Sequence, residues 1–251
     1  MIYAFGDIHG QVTMLRSLLQ KLHDLPLKRD DVLVFIGDYV DRGEDSRGVI
    51  QALIELREQR PNTVFLRGNH EQLMMDARDS AAPEHGSRSG SFLLSDEMLL
   101  WLSNGGDETL LSYCEDIEPE QMLTWWEIIP EAHWEFIRST QIEHIDGRFH
   151  FVHAGLLPPG RFWEGQDRNF DPRLWIREPF LSCTDDFAGR TVVFGHTPQL
   201  GHLPLIRKNK IGIDTGAVFG GSLTAVGLDP DTTLRKVPTP VVIQVPHEVR
   251  Y

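Results

Sequence analysis

The sequence has little of what disulfide-rich and nucleic-acid-binding proteins are built from. Only two of its 251 residues are cysteines, Cys114 and Cys183, and they form no Cys-x-x-Cys pair, which argues against a disulfide framework. Its 24 lysines and arginines face 37 acidic residues, giving a net charge of -13, and form no basic cluster for a nucleic-acid backbone. An acidic surface still allows a phosphorylated substrate, because bound divalent cations can reverse the charge inside a cleft.

Long apolar runs are also missing. No stretch approaches the length of a membrane span, and Met1 to Phe5 leave no room for a signal peptide before the first polar motif. We therefore expect a cytoplasmic protein with no membrane partner. The length suits one α/β domain over residues 1–251, with a substantial core.

The first third of the chain alternates between short apolar runs and amphipathic stretches. Residues 2–5, 32–36 and 63–66 are predicted strands, and residues 12–25 and 48–57 carry apolar side chains at helical spacing. This order predicts parallel strands joined by helical crossovers. Ligand sites of such sheets lie at the carboxyl ends of the strands.

The rest of the chain divides into a helical part and a second set of strands. Residues 79–91 have the composition of a mobile loop, and residues 97–137 are predicted to be mostly helical, so a mainly helical segment covers about residues 79–140. We expect its tryptophans to pack in the core. Strands are then predicted at residues 141–145, 149–152, 191–194, 203–207, 211–213, 223–227 and 241–245, with a turn at Asn209.

Each of the first three predicted strands is followed by a loop rich in acidic, amide and imidazole side chains. Asp7 and His9 are one residue apart and can point toward a single cation. Asp38 offers two carboxylate oxygens, the simplest bridge between two metals, and Asn69 adds an amide oxygen. The loops read Gly6-Asp7-Ile8-His9-Gly10, Gly37-Asp38-Tyr39-Val40-Asp41-Arg42-Gly43 and Gly68-Asn69-His70-Glu71.

Two later histidines extend this set. His153 and His196 each follow a predicted strand and adjoin Gly or Ala residues that leave room at the strand end. Mixed carboxylate, imidazole and amide ligands suit Mn²⁺, Fe²⁺ or Zn²⁺ better than Ca²⁺ or Cu⁺. The combination predicts a two-metal phosphoester hydrolase.

These motifs resemble those of the calcineurin-like metallophosphoesterases, in particular the bacterial and phage branch of the phosphoprotein phosphatase family. The resemblance implies an α/β fold of two packed mixed β-sheets flanked by helices. It implies one metal held by Asp7, His9 and Asp38, and a second held by Asp38, Asn69, His153 and His196. It extends to the segments Asn104-Gly105-Gly106, His153-Ala154-Gly155, Leu174-Trp175-Ile176-Arg177, Phe194-Gly195-His196-Thr197-Pro198 and Asp214-Thr215-Gly216.

A catalytic scheme follows from the same residues. Two divalent ions, expected to be Mn²⁺ with Fe or Zn as alternatives, would activate a bridging hydroxide for direct attack on phosphorus. His70, next to Asn69, would protonate the leaving group, and the resemblance implies that Asp41 orients this imidazole. Arg42, and by resemblance Arg177, would bind the phosphate oxygens.

Three further features each have two interpretations. Arg67 is expected to have a structural role more than a phosphate contact. Residues 104–106 could cap a helix or line the site. Residues 214–216 could support the metals or form a structural turn.

The substrate has two candidate classes. We expect a phosphorylated protein bearing phosphoserine or phosphothreonine, with phosphotyrosine or a small phosphoester as further options. A symmetrical bis(5'-nucleosyl)-tetraphosphatase shares the fold and metal motifs, although the intact residues 6–10 and 69–75 favour the phosphatase. A non-catalytic binding scaffold would have lost ligands or the proton donor, whereas Asp41, Arg42 and His70 are all in place.

Overall fold

The computed structural model describes residues 1–81, 94–114, 124–165, 170–231 and 239–247. These residues form ten strands in two five-stranded sheets, with helices packed against them. The strands are β1 (Ile2–Phe5), β2 (Val32–Phe35), β3 (Val64–Phe65), β4 (Glu143–Asp146), β5 (Phe149–Val152), β6 (Thr191–Phe194), β7 (Leu205–Ile206), β8 (Lys210–Gly212), β9 (Ser222–Leu228) and β10 (Val241–Pro246).

The first sheet has the strand order β10-β9-β1-β2-β3. Strands β1, β2 and β3 run parallel, as the alternating pattern predicts, whereas β9 runs antiparallel to β1 and to β10. The two crossovers are α1 (Val12–His23) and α2 (Ser46–Gln59), and the Asp45 side chain caps α2 by accepting from the Gly48 amide at 2.7 Å. The predicted β-α-β-α-β unit is confirmed.

The second sheet has the order β4-β5-β6-β8-β7, with β5, β6 and β8 parallel and an antiparallel strand at each edge. Both sheets are therefore mixed, as expected. A hydrogen bond of 2.9 Å from the Arg207 amide to the Lys210 carbonyl closes the β7–β8 hairpin. The predicted turn at Asn209 is thereby confirmed.

Along each strand of the first sheet, successive side chains point alternately to the inner and the outer face. Ile2 and Ala4 of β1 point into the space between the sheets, where Phe151 and Val193 of the second sheet meet them. Tyr3 and Phe5, which alternate with them, pack against the helices on the outer face. This alternation fixes the strand register, so the loops that follow the parallel strands meet at one edge.

The remaining helices are α3 (Asn69–Ala81), α4 (Asp96–Trp101), α5 (Asp107–Tyr113), α6 (Glu131–Arg138) and α7 (Pro172–Trp175). A π-helical turn at Leu102–Gly106 joins α4 to α5. The prediction of a mostly helical stretch is confirmed for its described parts. Trp101, Trp125 and Trp134 are buried there, as expected for core packing.

The structure differs from the sequence-based prediction around α3. The sequence analysis assigns no helix to residues 69–78, although Leu73, Met74 and Ala77 bury one face of α3. The predicted loop at 79–91 was wrong at its start, because residues 79–81 continue α3. Its other residues lie outside the described ranges. Within those ranges, every helix is too short or too polar to cross a bilayer.

Candidate metal centre

The loops that follow β1 and β2 are joined by backbone hydrogen bonds. The amides of Ile8 and His9 both donate to the carbonyl oxygen of Asp38, at 3.0 and 2.9 Å. The amide of Gly10 donates to the carbonyl oxygen of Tyr39 at 2.9 Å. The first two motifs therefore form one unit at the carboxyl ends of neighbouring parallel strands.

Glu71 joins the third motif to the second, a contact that the sequence did not reveal. Its buried carboxylate accepts from the amides of Asp38 (2.9 Å), Tyr39 (2.7 Å) and Gly68 (2.8 Å), with a longer bond of 3.3 Å from Val40. Burial and the nearby charge of Asp38 raise the pKa of Glu71. The amides that hold this carboxylate also fix the loop after β2 against the first turn of α3.

The backbone of the site is in unusual conformations. In the described ranges, five of the seven non-glycine residues with positive φ are candidate site residues. Such conformations cost roughly 1–3 kcal/mol each and persist only where the surroundings enforce them. The five are His9 (45°), Asp38 (54°), Asp41 (71°), Arg42 (69°) and His196 (63°).

Asp38 lies between two groups of possible metal ligands. Its Oδ2 atom faces His9 Nε2 at 3.4 Å and His70 Nε2 at 4.0 Å. Its Oδ1 atom faces His153 Nε2 at 3.3 Å, on the side where His196 also lies. One carboxylate can therefore supply an oxygen to each of two ions, as a bridging ligand must.

Asn69 lies on the second side of Asp38. Its Oδ1 atom is 2.9 Å from His153 Nε2 and 2.8 Å from His196 Nδ1, and all three side chains are buried. Lone-pair atoms from an amide and two imidazoles thus converge on one point. Together with Asp38 Oδ1, they form the donor set that the resemblance assigns to the second metal.

Asp7 reaches the site from the end of β1. Its Oδ2 atom accepts from the His196 amide at 2.9 Å, which links the two sheets. Its Oδ1 atom faces Gly195, where a Cβ would lie only 2.0 Å away, so only glycine leaves room for this carboxylate. Burial and the charge of nearby Asp214 raise the pKa of Asp7 well above its usual value.

One buried atom indicates that a cation belongs here. Asp7 Oδ1 has no hydrogen-bond partner among the described residues. Buried polar atoms without partners are rare, and Asp7 is a member of the predicted ligand set. The residues present therefore fit a pair of divalent metals.

The other ring nitrogens of two histidines are held by backbone carbonyls. His9 Nδ1 lies 2.8 Å from the Val40 oxygen, and His153 Nδ1 lies 2.9 Å from the Ile36 oxygen. A carbonyl can only accept, so each Nδ1 carries the proton and donates. This leaves each Nε2 directed at the site with a lone pair when the imidazole is neutral.

Without metals, protonated histidines balance the buried charge. Burial disfavours the charged form of His153, but Asp38 raises its pKa to about 9. Burial also disfavours the charged form of His9, but Asp38 raises the pKa of His9 to about 8. Although burial opposes it, the charges of His153 and His70 hold the pKa of Asp38 well below its usual value. Burial and the charge of His153 hold the pKa of His196 well below its usual value.

His70 is paired with Asp41, as the resemblance implies. The distance from His70 Nδ1 to Asp41 Oδ2 is 2.7 Å, and both side chains are buried. The other ring nitrogen, Nε2, points toward Asp38. A histidine held in this way can present a proton at Nε2 to a group bound beside Asp38.

Arg42 lies at the edge of the first group. Its Nη1 atom is 3.0 Å from His9 Nε2, and its guanidinium lies over the ring of Phe219 at 5.6 Å. The side chain is only partly buried. A guanidinium in this position can reach an anion bound next to His9.

Arg177 is exposed, and its charge contributes to the lowered pKa of His196, which places it near the second group. The adjacent candidate, Arg173, is different. Its guanidinium forms ion pairs with Asp171 (2.7 Å) and Glu143 (2.8 Å). Arg173 is therefore neutralised, which leaves Arg177 as the residue of this segment that can bind phosphate.

The structure distinguishes between the two interpretations of Arg67, of residues 104–106 and of residues 214–216. Arg67 donates to Thr140 Oγ1 (3.2 Å) and to Gln72 Oε1 (3.0 Å), which is a structural role. The carbonyl of Gly105 accepts from the Arg42 amide at 3.1 Å, so residues 104–106 lie against the site. Asp214 is buried and acts electrostatically on Asp7, which agrees with a supporting position.

Comparison with known proteins decides the family. A profile described as calcineurin-like phosphoesterase matches residues 1–218. The chain belongs to this family. The fold of two mixed sheets and the two groups around Asp38 agree with this membership, and proteins of the family depend on a dinuclear metal centre.

This calcineurin-like phosphoesterase is similar to several named proteins. It is 33% identical over 227 residues to serine/threonine-protein phosphatase 1 of Salmonella typhimurium, with 89% of each chain covered. It is 28% identical over 286 residues to a symmetrical bis(5'-nucleosyl)-tetraphosphatase of Methylococcus capsulatus, with 95% of each covered. The fold resembles that of a cold-active protein-tyrosine phosphatase from a Shewanella species (TM-score 0.53, 17% identity, 89% of this chain and 74% of that chain).

Most predicted site residues meet in the structure. The six proposed metal ligands and His70, Asp41 and Arg42 lie together, while Arg177 is at the rim. Sequence reasoning missed three residues that hold this set in place. Glu71 stood within a quoted motif without a role, and Trp101 and Thr109 contact Asp41 from the helical segment.

We expect Glu71→Ala to lower the free energy of unfolding of the metal-free protein by roughly 2–4 kcal/mol, because buried amides lose their acceptor. Glu71→Gln should lose less, since one amide oxygen remains. Urea denaturation in the presence of a chelator measures this. The control is Glu58→Ala on the exposed face of α2. Equal stability of the Glu71→Ala and Glu58→Ala proteins would contradict the anchoring role.

Metal affinity should rise with pH. The metal-free imidazoles of His9 and His153 lose their protons near pH 8 and 9, and a metal needs them neutral. Mn²⁺ affinity, measured anaerobically against a fluorescent chelator, should therefore increase from about pH 6.5 to about pH 9.

The stability of the metal-free protein should change in the opposite direction over the same range. Folding raises the pKa values of both His9 and His153, so the stabilisation from their protonated forms is complete below the unfolded pKa. It is lost as pH rises through about 8 and about 9.

Mn²⁺ affinity that stays constant across this range would show that the imidazoles of His9 and His153 do not bind the ion.

Proposed function

We propose that this chain is a metal-dependent phosphoprotein phosphatase that hydrolyses phosphoserine and phosphothreonine monoesters. The observation that supports it most is the arrangement around Asp38. Two groups of possible ligands flank this carboxylate, and the His70–Asp41 pair lies on one side of it. A phosphate ester bound there would have charge compensation and a proton donor in one place.

The proposed ligands of the first ion are Asp7, His9 and Asp38, and Asp38 is shared with a second ion that Asn69, His153 and His196 also bind. When bound, two divalent ions would supply an activated water and draw negative charge from the phosphoryl oxygens. We propose Mn²⁺, with Fe or Zn as alternatives, because the donors are nitrogen and oxygen atoms without thiolate.

The protein's own groups would handle the leaving group and the phosphate. His70 would give the proton on Nε2 to the departing alkoxide oxygen, while its Nδ1 stays bonded to Asp41. Arg42 would bind a phosphoryl oxygen beside His9, and Arg177 would bind another from the rim. An alkyl leaving group needs this proton because its alkoxide is a strong base.

The surroundings of the site favour a peptide over a dinucleotide. A groove of about 770 Å³ runs past α3, α4 and α7. Its lining includes Trp175 and five carboxyl groups, those of Asp76, Asp79, Asp96, Glu97 and Asp171, the last of which is paired with Arg173. Trp175 also packs edge-on against the imidazole ring of His196, a proposed metal ligand, with the ring centres 6.3 Å apart. These carboxyl groups would repel a polyanionic tetraphosphate, whereas they would not repel a peptide with neutral or basic side chains.

The alternative is a symmetrical bis(5'-nucleosyl)-tetraphosphatase. It is favoured by the similarity to such an enzyme over 95% of both chains, although the identity is lower than to the serine/threonine phosphatase. The same metal-binding residues would serve either substrate.

A direct comparison of substrates tests the proposal. The Mn²⁺-loaded protein should have a kcat/KM for a phosphothreonine peptide more than about tenfold above that for diadenosine tetraphosphate, about 1.4 kcal/mol of transition-state stabilisation. A larger kcat/KM for the dinucleotide would replace the proposed function by the alternative.

His70→Asn provides the internal control for that comparison. It removes the proton donor at the site, so activity toward an alkyl phosphate should fall by about 10²–10⁴ if the protein itself is the catalyst. Near-wild-type turnover of the alkyl phosphate by this variant would contradict the role of His70 as the proton donor.

A further inference from the structure

The helical segment reaches the candidate site at Asp41, on the side of this residue away from the metal ligands. Trp101 Nε1 donates to both carboxylate oxygens of Asp41, at 3.1 Å each, and Thr109 Oγ1 donates to Oδ1 at 2.7 Å. His70 Nδ1 lies 2.7 Å from Oδ2. Three donors from three parts of the chain therefore surround one carboxylate.

These contacts are shielded from water. Asp41, Trp101 and Thr109 are fully buried, and His70 is nearly so. The indole N–H lies between the two oxygens and Thr109 occupies Oδ1, so the plane of the carboxylate is fixed. The remaining acceptor position, on Oδ2, faces the imidazole. A carboxylate fixed in this way fixes the imidazole, and thus the direction of its Nε2.

The helical segment also fixes the backbone at the same place. Thr109 Oγ1 accepts from the Asp41 amide at 2.8 Å, and the Gly105 carbonyl accepts from the Arg42 amide at 3.1 Å. Asp41 and Arg42 are consecutive non-glycine residues with φ of 71° and 69°. Gly105 has a φ of 98°, and a Cβ there would lie 2.7 Å from the Arg42 nitrogen. The close contact requires glycine.

We propose that Trp101 and Thr109 are positioning residues for phosphoester cleavage, which act through Asp41 to aim the proton of His70 at the leaving group. This rests on the proposed function in one respect, that the site cleaves phosphomonoesters. The helical segment is thus part of the catalytic apparatus as well as part of the core.

Substitutions that keep the packing test this. Trp101→Phe removes the N–H and keeps an aromatic ring, and Thr109→Val removes the hydroxyl and keeps the shape. Each should lower kcat for phosphothreonine by about tenfold to a hundredfold, since an off-axis imidazole transfers its proton poorly. The loss should be smaller for 4-nitrophenyl phosphate, whose leaving group needs less protonation.

A double variant distinguishes positioning from general damage. If Trp101 acts through His70, then Trp101→Phe should cost no further activity in a His70→Asn protein. Thr109→Ser, which retains the hydroxyl, should restore most of the activity that Thr109→Val loses. Bound Mn²⁺ is measured in every variant, and the comparison uses proteins with the wild-type metal content.

Trp134→Phe is the matched control. Trp134 is also buried in the helical segment, but its N–H donates to the Trp126 carbonyl at 3.1 Å. Its removal should leave kcat unchanged.

Two results would overturn the proposal. One is an equal loss on both substrates for Trp101→Phe and Thr109→Val; the other is full additivity of Trp101→Phe with His70→Asn. These comparisons need only a phosphomonoester that the wild-type protein cleaves. A wild-type protein that cleaves 4-nitrophenyl phosphate but no phosphopeptide would contradict the proposed function and leave this test intact, with a small alkyl phosphate in place of phosphothreonine.

Discussion

The site depends on one buried residue, Asp38. Its backbone oxygen accepts hydrogen bonds from the loop after β1, and its backbone amide donates to Glu71. The two oxygens of its carboxylate face different groups of possible metal ligands. A buried negative charge is costly unless positive charge lies beside it. In the metal-free protein the protonated imidazoles of His9 and His153 supply that charge, in the place that cations would take.

The fold serves this carboxylate from two directions. The parallel strands of both sheets bring their carboxyl ends to one edge, where Asp7 accepts from the His196 amide across the sheets. The helical segment acts from the other side, with Trp101 and Thr109 holding Asp41. Five of the six proposed metal ligands follow the ends of strands and Asn69 begins α3, whereas the orientation of the proton donor depends on Trp101 and Thr109 of the helical segment.

Sequence patterns predict the first half of this arrangement well. Strand alternation and the rule for parallel strand ends suffice to bring Asp7, Asp38 and Asn69 together. They do not reveal Trp101 and Thr109, which lie 60 and 68 residues from Asp41 along the chain and meet it only through packing. The helix α3 is not evident from the sequence, because its first residues, Asn69, His70 and Glu71, directly follow a strand and have the composition of a ligand-bearing loop.

The most direct test of the bridging role of Asp38 is the number of ions bound by Asp38→Asn. Equilibrium dialysis against Mn²⁺, followed by metal analysis, should find two ions per wild-type chain, as in two-metal hydrolases, and loss of both in the variant at the same free concentration. The exposed Asp24→Asn should retain both. A variant of Asp38 that keeps either ion at wild-type affinity would contradict a bridge between two metals.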